Sequence, residues 1–375
     1  MSGAHFSWSR WVGIIIKEFI QLKRDRLTFG MIIGIPVIQL LLFGFAINSD
    51  PKNLPTALRV QDNGIHVRAV VAALENSGYF RVVRRAESEA EVEELLTYGR
   101  VQFVITVPEN FERLLARGER PVLLVEADAT DPAAVSGAVG ALPQILRQAL
   151  ARDLGTRAAA GDAVELRLHR RYNPEAVTQY NIVPGLLGVI LTMTMVLMTG
   201  LALTRERERG TYENLLATPA LPVEVMTGKI VPYIMIGLIQ VTLVLIAARF
   251  IFAVPMLGSL LLLYAVVLVF IAANLTMGIT FSSLARNQLQ AMQMTFFFFL
   301  PSIILSGFMF PFRGMPEWAQ AIGSVLPLTH FLVLVRGILL KGNGLAELWP
   351  ALWPIFVFMA VVIAVGLRFY RRTLD

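Results

Sequence analysis

The fold class is decided by residues 258–284, which read GSLLLLYAVVLVFIAANLTMGITFSSL and contain no charged side chain. About 20 consecutive apolar residues form a helix long enough to cross the hydrocarbon core of a membrane. A membrane β-barrel would show shorter segments of alternating polarity, which this sequence lacks. Five further stretches have the same spanning character, at residues 27–47, 177–203, 230–248, 288–310 and 348–367. The sequence therefore predicts an α-helical integral membrane protein with six transmembrane helices.

The overall composition agrees with a membrane protein. Hydrophobic residues make up 55% of the chain, charged residues make up 16%, and the mean hydropathy is +0.62. Soluble domains are about 45–50% apolar and about 25% charged. The net charge of +6 is explained by cytoplasmic loops that collect Lys and Arg, so we expect no nucleic-acid partner. Because the chain has no cysteine, disulfides, thiolate metal sites and cysteine nucleophiles are excluded.

Residues 48–176, between the first two predicted spans, differ in kind because charges return at ordinary density and the apolar runs become short. Strands are predicted at 57–60, 79–83, 101–107 and 122–125, and helices at 66–76, 87–98, 111–116 and 133–154. Pro108 and Pro132 are predicted to begin helices, with Asp131 as the cap before Pro132. Strands that alternate with helices indicate an inserted α/β domain.

The orientation follows from the basic residues of the short loops, which gather on the side of the two chain ends. Because cytoplasmic loops collect Lys and Arg, both termini are expected in the cytoplasm and the α/β domain outside it, as expected for a multi-pass protein of the cytoplasmic (inner) membrane. Residues 1–26 are expected to form a basic, amphipathic helix on the membrane surface, and 204–229 and 368–375 are expected to form a cytoplasmic loop and tail. Residues 311–347, amphipathic and interrupted by prolines, predict a re-entrant or interfacial hairpin on the outer side.

The predicted helices carry essentially no Asp, Glu, Lys or His. Proton- and ion-coupled carriers need ionisable groups at depth, so this class is disfavoured, although carriers that bind sodium through carbonyls and hydroxyls stay open. The single Gly-Lys pair, Gly228-Lys229, lacks the spacing of a phosphate-binding loop. If the protein is a pump, a separate subunit must hydrolyse ATP.

Three stretches carry a resemblance to a known family. Residues 204–219, TRERERGTYENLLATP, look like the loop after the second helix in ABC-2-type permeases. Residues 326–331, LPLTHF, with Arg336-Gly337 and Lys341-Gly342, match the segment before the last helix of that family, and Tyr172–Glu175 match the entry to the second. Together with the helix count and the inserted domain, the resemblance covers nearly the whole chain.

The resemblance implies an exporter of hydrophobic or amphipathic compounds, drug-like or lipid-like, that works with an ABC ATP-binding subunit. ATP and Mg would be bound by that partner, so no cofactor is expected in this chain. A second permease copy or a homologue would complete the pathway, a periplasmic adaptor protein is a further expected partner, and membrane lipid surrounds the helices. The ATPase-coupling surface is carried over to Arg205, Glu206, Glu208, Arg209, Gly210, Glu213, Leu216 and, in the surface helix, Trp11, Lys17 and Lys23.

Other candidate residues have weaker signals. The outer motif contains Pro327, Thr329, His330 and Arg336, and a lone histidine such as His330 is usually a hydrogen-bonded structural residue. Phe296, Phe297 and Phe299 are candidates for lining the pathway, although consecutive phenylalanines point all round a helix and mostly serve packing. No metal site is predicted. The acidic residues Glu126, Asp128 and Asp131 suggest turn and cap roles more than a paired-carboxylate hydrolase.

Two other function classes stay open at this point. One is an ion-coupled efflux carrier, which the uncharged helices disfavour. The other is a membrane sensor with an external ligand-binding domain, which would need a cytoplasmic output domain that the short cytoplasmic pieces do not provide. A membrane-embedded enzyme is weaker still, because no Ser/His/Asp set or metal-ligand cluster lies beside the helices.

Overall fold

The computed structural model describes residues 51–154, 163–208 and 222–370. The predicted surface helix at 1–26 and the first predicted span at 27–47 lie outside these residues. The described chain begins with an α/β domain and continues into a bundle of long apolar helices. This confirms the predicted class, a helical membrane protein with an α/β domain.

The α/β domain contains a five-stranded sheet in the order β2-β1-β3-β4-β5. Neighbouring strands are parallel except β3 and β4, which are antiparallel. The strands are β1 Leu54–Val60, β2 Phe80–Arg85, β3 Phe103–Val107, β4 Val122–Asp128 and β5 Glu165–Arg171.

Four helices cover this sheet: α1 Ile65–Asn76, α2 Glu89–Thr97, α3 Phe111–Ala116 and α4 Pro132–Leu154. Helices α1, α3 and α4 bury their apolar residues against one face, in a core that contains Phe103 and Phe111. Helix α2 packs on the other face through Leu96 against Val104. Both faces of β1 and β3 are therefore buried, which explains their nearly continuous apolar runs.

One local expectation for this domain was wrong, and one strand was not predicted. Pro108 does not begin a helix: α3 starts at Phe111, after Asn110 with a φ of 62°, and the Asp62 carboxylate accepts a hydrogen bond from the Glu112 N–H at 2.9 Å. Strand β5 was not predicted, because its sequence ELRLHRR is mostly charged. It is an edge strand, so its charged side chains reach water while Leu166 and Leu168 pack on the core.

Five helices of the bundle are long and apolar enough to cross a membrane, and the described part has six spans if one bent helix pair is counted. They are α5 Gln179–Glu208, α6 Pro222–Phe250, α7 Leu260–Leu284, α8 Gln288–Leu305 and, after the bent pair, α11 Leu345–Tyr370. Helix α8 ends before residue 310, the predicted end of that span. Gly307 adopts a φ of 86°, a left-handed conformation that turns the chain.

The bent pair lies between α8 and α11 and forms a hairpin. The hairpin consists of a 3₁₀ turn at Phe312–Gly314, helix α9 Glu317–Gly323, helix α10 Pro327–Arg336 and a π-helical turn at Gly337–Lys341. The bent pair is α9 together with α10 and the π-helical turn. The pair bends by 84°. We refer to residues 312–341 as the re-entrant hairpin.

Glycines in α5 make room for the re-entrant hairpin. A Cβ on Gly188 would lie 2.7 Å from Leu328 and 2.8 Å from Phe331, closer than side chains pack. Phe331 in turn stacks on Phe270 of α7, with ring centroids 3.9 Å apart. Small residues allow such close helix approach inside membranes. The hairpin is therefore held between α5 and α7, where neighbouring protein covers its backbone.

Helices α5 and α7 also cross closely further along the bundle. A Cβ on Gly278 of α7 would overlap the Thr199 hydroxyl and lie 2.7 Å from the Val196 carbonyl oxygen. The Thr199 hydroxyl donates to the Met195 carbonyl oxygen at 2.6 Å, so this polar group is satisfied within its own helix. The backbones of the two helices therefore approach each other closely at this glycine.

Candidate functional site

The predicted coupling residues are only partly described. Arg205 and Glu208 lie exposed in the last turn of α5. The side chain of Glu206 and the residues Arg209, Gly210, Glu213 and Leu216 lie outside the described part, as do Trp11, Lys17 and Lys23. Their roles stay predictions.

Glu208 joins the end of α5 to the start of α8. Its carboxylate accepts a hydrogen bond from the Gln288 backbone N–H at 2.8 Å and a second one from the Gln288 side-chain amide. The backbone N–H groups at a helix start lack partners within the helix and attract negative charge. Hydrogen bonds from the Gln288 backbone and then from its side chain lower the pKa of Glu208. Glu208 therefore stays ionised and ties the end of α5 to the start of α8, whose own cap is Asn287.

The outer-motif residues are arranged to fold the re-entrant hairpin. Pro327 begins α10, the Thr329 hydroxyl donates to the Gly323 carbonyl oxygen at 2.6 Å, and His330 Nε2 lies 2.7 Å from the Ser324 carbonyl oxygen. These contacts close the turn between α9 and α10. His330 is thus a hydrogen-bonded residue of the turn, in line with the structural role expected for a lone histidine.

Arg336 connects the hairpin to α5 and to the loop after α8. Its guanidinium donates to the Asn181 side-chain oxygen at 3.2 Å and to the Gly307 carbonyl oxygen at 3.4 Å. The Asn181 amide donates in turn to the Thr130 carbonyl oxygen at 3.0 Å. This chain of bonds links the hairpin, α5 and the α/β domain.

A buried ion pair between the two parts of the molecule involves Lys341, which sequence reasoning did not select as a site residue. Its Nζ donates to the Asp128 Oδ2 at 2.6 Å and to the Leu96 carbonyl oxygen at 2.9 Å, and both charged side chains are 8% exposed. The Tyr172 ring lies 4.7 Å from the ammonium. A lysine in an apolar run signals that a partner is needed. The partner itself, 213 positions away, is visible only in the fold.

The acidic residues of the domain have turn, cap and pairing roles. The Asp131 carboxylate accepts hydrogen bonds from the Ala133 and Ala134 N–H groups, and burial raises the pKa of Asp131. Asp128 accepts bonds from Thr130 through its other oxygen, and Glu126 pairs with Arg171. No group of three or more His, Cys, Asp or Glu within residues 51–154, 163–208 and 222–370 has the arrangement of a metal site.

The candidate pathway phenylalanines lie on different sides of α8. Phe297 is 41% exposed, Phe296 is half-buried, and Phe299 is buried within the chain. The neighbouring Phe298 packs against Phe281 and Phe358, with ring centroids 6.0 and 6.3 Å away. Phe297 is therefore the member of this set that faces away from the chain itself.

The described residues form a bundle of spanning helices, an α/β domain and a bent helix pair before the last helix, and the family comparison identifies the class as the membrane subunit of an ABC transporter. The sequence profile described as ABC-2 family transporter protein matches residues 26–368, so the chain belongs to this family.

Individual relatives extend the likeness over the full length. The chain is 29% identical over 359 residues to the Probable multidrug ABC transporter permease YbhR of Escherichia coli, covering 96% of this chain and 97% of the relative. It is 28% identical to the Probable multidrug ABC transporter permease YbhS of the same organism, over the whole of both chains. It is 30% identical to the Inner membrane transport permease YhhJ of Escherichia coli, covering 76% of each chain.

The chain is therefore an ABC transporter permease subunit and a multi-pass protein of the inner membrane. Permease subunits of this kind lack the ATPase domain, so an ATP-binding subunit is its partner. Family membership decides against the ion-coupled carrier and the membrane sensor that the sequence alone left open.

Proposed function

We propose that this permease exports a hydrophobic or amphipathic compound, drug-like or lipid-like, outward across the inner membrane. The names of YbhR and YbhS, both multidrug permeases, support this cargo class because the likeness spans nearly the full length of each. The uncharged spans support it as well, since residues 179–202, 231–248, 260–284 and 288–305 contain no Asp, Glu, Lys or His. An apolar cargo needs no charged partner at depth.

Two subunits complete the pathway in this proposal, because six helices form one half of it. The second subunit is another copy or a homologue. The similar identity of this one chain to two different permeases, YbhR and YbhS, supports a pairing between related chains. Both termini lie in the cytoplasm and the α/β domain lies outside, as the distribution of basic residues supports.

The contact between Glu208 and Gln288 is the observation that carries the coupling mechanism. It joins the end of α5, where the proposed coupling loop begins, to the first residue of α8. A movement that the ATP-binding subunit imposes on this loop therefore reaches two spanning helices at once. Arg205, Glu206, Arg209, Gly210, Glu213 and Leu216 complete the proposed docking surface, beside the predicted surface helix with Trp11, Lys17 and Lys23.

The α/β domain is the proposed docking site for a periplasmic adaptor protein. Its exposed basic side chains, among them Arg84 and Arg113, are available on the surface for contact. Photo-crosslinking residues placed at these two positions should capture a purified adaptor that is encoded with the permease. Failure to capture it from either position would contradict the adaptor role and leave the transport role intact.

Copurification tests the exporter class. The chain is expressed with candidate ATP-binding subunits and purified in mild detergent. The double variant Glu206→Lys/Glu208→Lys is purified in the same way, and the control is Glu109→Lys, a charge reversal at an exposed position of the α/β domain. We expect one ATPase to copurify in stoichiometric amount and to be lost only from the double variant. A chain that moves substrate in proteoliposomes on an ion gradient, with no ATPase present, would contradict the proposal.

A further inference from the structure

The re-entrant hairpin and the residues directly after it cap a helix of the α/β domain. Arg313 donates to the Gly99 carbonyl oxygen, Lys341 to that of Leu96 and Asn343 to that of Thr97 at 3.2 Å. These three carbonyls lie in and just beyond the last turn of α2, where helix carbonyls lack partners within the helix and carry partial negative charge. Two cations and an amide from this segment therefore satisfy one end of α2.

The ion pair at the centre of this contact is held on the domain side. While Asp128 Oδ2 accepts from Lys341, its Oδ1 accepts from the Thr130 N–H at 3.1 Å and from the Thr130 hydroxyl at 2.7 Å. The carboxylate therefore cannot turn away without breaking three hydrogen bonds. A buried polar network that is satisfied in this way rigidifies its surroundings.

The backbone around Lys341 is fixed by hydrogen bonds on the hairpin side as well. Lys341 is the last residue of the π-helical turn, and π turns are rare and frequently occur at functional sites. The following Gly342 has a φ of 73°, a conformation that favours glycine and brings the Asn343 N–H to the Gly337 carbonyl oxygen at 3.0 Å. The Leu257 N–H donates to the Leu339 carbonyl oxygen, which ties the turn to the loop before α7.

We propose that Lys341 is a positioning residue that locks the α/β domain onto the re-entrant hairpin, so that the two move as one body during transport. The hairpin packs through Phe331 on α7 and through Leu328 on α5, so a force applied to the domain reaches both helices. This inference rests on the proposed function for its transport readout only.

A crosslink tests whether the two parts separate. The natural chain has no cysteine, so Thr97→Cys/Asn343→Cys places the only two thiols on opposite sides of the contact. A short bis-maleimide should join them by forming one thioether with each thiol. The joined chains should transport and hydrolyse ATP as well as the same double variant left unreacted, in proteoliposomes that contain the ATP-binding subunit. Loss of transport on crosslinking, with ATP hydrolysis retained, would overturn the proposal because it would show that the parts must separate.

A charge deletion tests Lys341 itself, with Arg117→Met as a control that removes an exposed cation from the α/β domain. In Lys341→Met we expect the amount transported per ATP hydrolysed to fall at least about fivefold, as for the loss of a typical coupling interaction. The ratio is measured below the unfolding midpoint of each variant. The double variant Asp128→Asn/Lys341→Met should regain the thermal midpoint but not the amount transported per ATP hydrolysed. If Lys341 had a purely structural role, the double variant would regain both. An unchanged ratio in Lys341→Met would overturn the proposal.

The crosslinking yield separates a failure of this inference from a failure of the proposed function. It is measured on the purified chain without any partner, comparing the double variant Thr97→Cys/Asn343→Cys with the same double variant that also carries Lys341→Met. A lower yield in the presence of Lys341→Met supports the lock whether or not the chain exports anything. Equal yields would overturn the lock, even if transport itself is demonstrated.

Discussion

The two ends of the helical bundle are joined to their surroundings in opposite ways. At one end, Lys341 and Asp128 form an ion pair that is almost removed from solvent, with further donors from Arg313 and Asn343 around it. At the other end, Glu208 holds α5 to α8 from an exposed position, through the bonds of one partner residue, Gln288. A carboxylate thus makes the contact at both ends, once buried and paired with a cation, and once in water with neutral N–H donors.

The difference in burial between these two contacts indicates which contact is fixed and which one a partner subunit can break. Charges interact more strongly in a dry environment of low dielectric constant, and a buried charge that loses its partner is costly. An exposed contact is screened by salt and contributes little to stability. The buried contact suits a permanent joint, whereas the exposed one suits a contact that a partner subunit breaks and remakes.

The largest expected effect comes from breaking the buried contact on one side. Lys341→Met leaves the Asp128 carboxylate buried without its cation, and the loss of one partner of a buried pair costs about 3–5 kcal/mol. We expect a large drop in the thermal unfolding midpoint in detergent, most of which Asp128→Asn/Lys341→Met restores. An unchanged midpoint for the single variant would show that the pair is not buried as described.

The second effect tests packing within the bundle, between the two ends. Gly278→Ala places a methyl group against the Thr199 hydroxyl and the Val196 carbonyl oxygen, and such overpacking costs about 1–3 kcal/mol. The matched control is Gly140→Ala in α4, where a Cβ meets nothing within 4 Å. That control should be stabilised by about 0.5–1 kcal/mol, because alanine favours a helix interior. Equal midpoints for the two variants would contradict the close crossing of α5 and α7.

A smaller effect is expected at the cap of α4, close to the buried contact. Asp131→Ala removes an acceptor for the Ala133 and Ala134 N–H groups, and the loss of such a cap costs about 1 kcal/mol. Asp131→Asn should retain most of the stability, because asparagine caps equally well and burial, which raises the pKa of Asp131, already disfavours its charged form. Thermal midpoints that rank Asn below Ala would contradict the capping role.

The smallest effect on stability is expected at the exposed contact. Glu208→Lys should leave the thermal midpoint unchanged but lower transport per ATP hydrolysed, compared with the control Glu109→Lys. The lowered pKa of Glu208 sets the pH dependence: the contact is complete above the ordinary pKa of a glutamate and is lost as the pH falls through the lowered value. A variant with normal coupling would remove Glu208 from the mechanism.

Much of this architecture follows from local sequence patterns, and the rest does not. The uncharged runs predict the spanning helices because the membrane demands apolar length, and the alternation of short strands with helices predicts the α/β domain. Strand β5 was not predicted because its sequence, ELRLHRR, is that of an edge strand with one solvated face and lacks an apolar run. The early end of α8 depends on the left-handed Gly307, which a hydropathy pattern does not reveal.

The contacts at the candidate site divide in the same way. The turn formed by Pro327, Thr329 and His330 involves neighbouring residues, so a local motif indicates it. The pairing of Lys341 with Asp128 depends on the placement of a whole domain over the hairpin. A lysine after an apolar run indicates that its charge needs a partner, but only the fold shows which acidic residue is that partner.

With the α/β domain outside, as proposed, the most direct test of a fixed outer joint at Lys341 and a movable inner contact at Glu208 is a pair of spin-label distance measurements. Labels on Arg117→Cys and Glu317→Cys measure the distance between the α/β domain and the hairpin. Labels on Arg205→Cys and Arg286→Cys measure the distance between the end of α5 and the loop before α8, beside Glu208. All four positions are exposed. Labelled chains are diluted into unlabelled ones and compared without nucleotide and with the ATP-binding subunit trapped by ATP and vanadate. We expect the outer distance distribution to stay unchanged and the inner one to shift. An outer distance that shifts with nucleotide while the inner one stays constant would contradict the account.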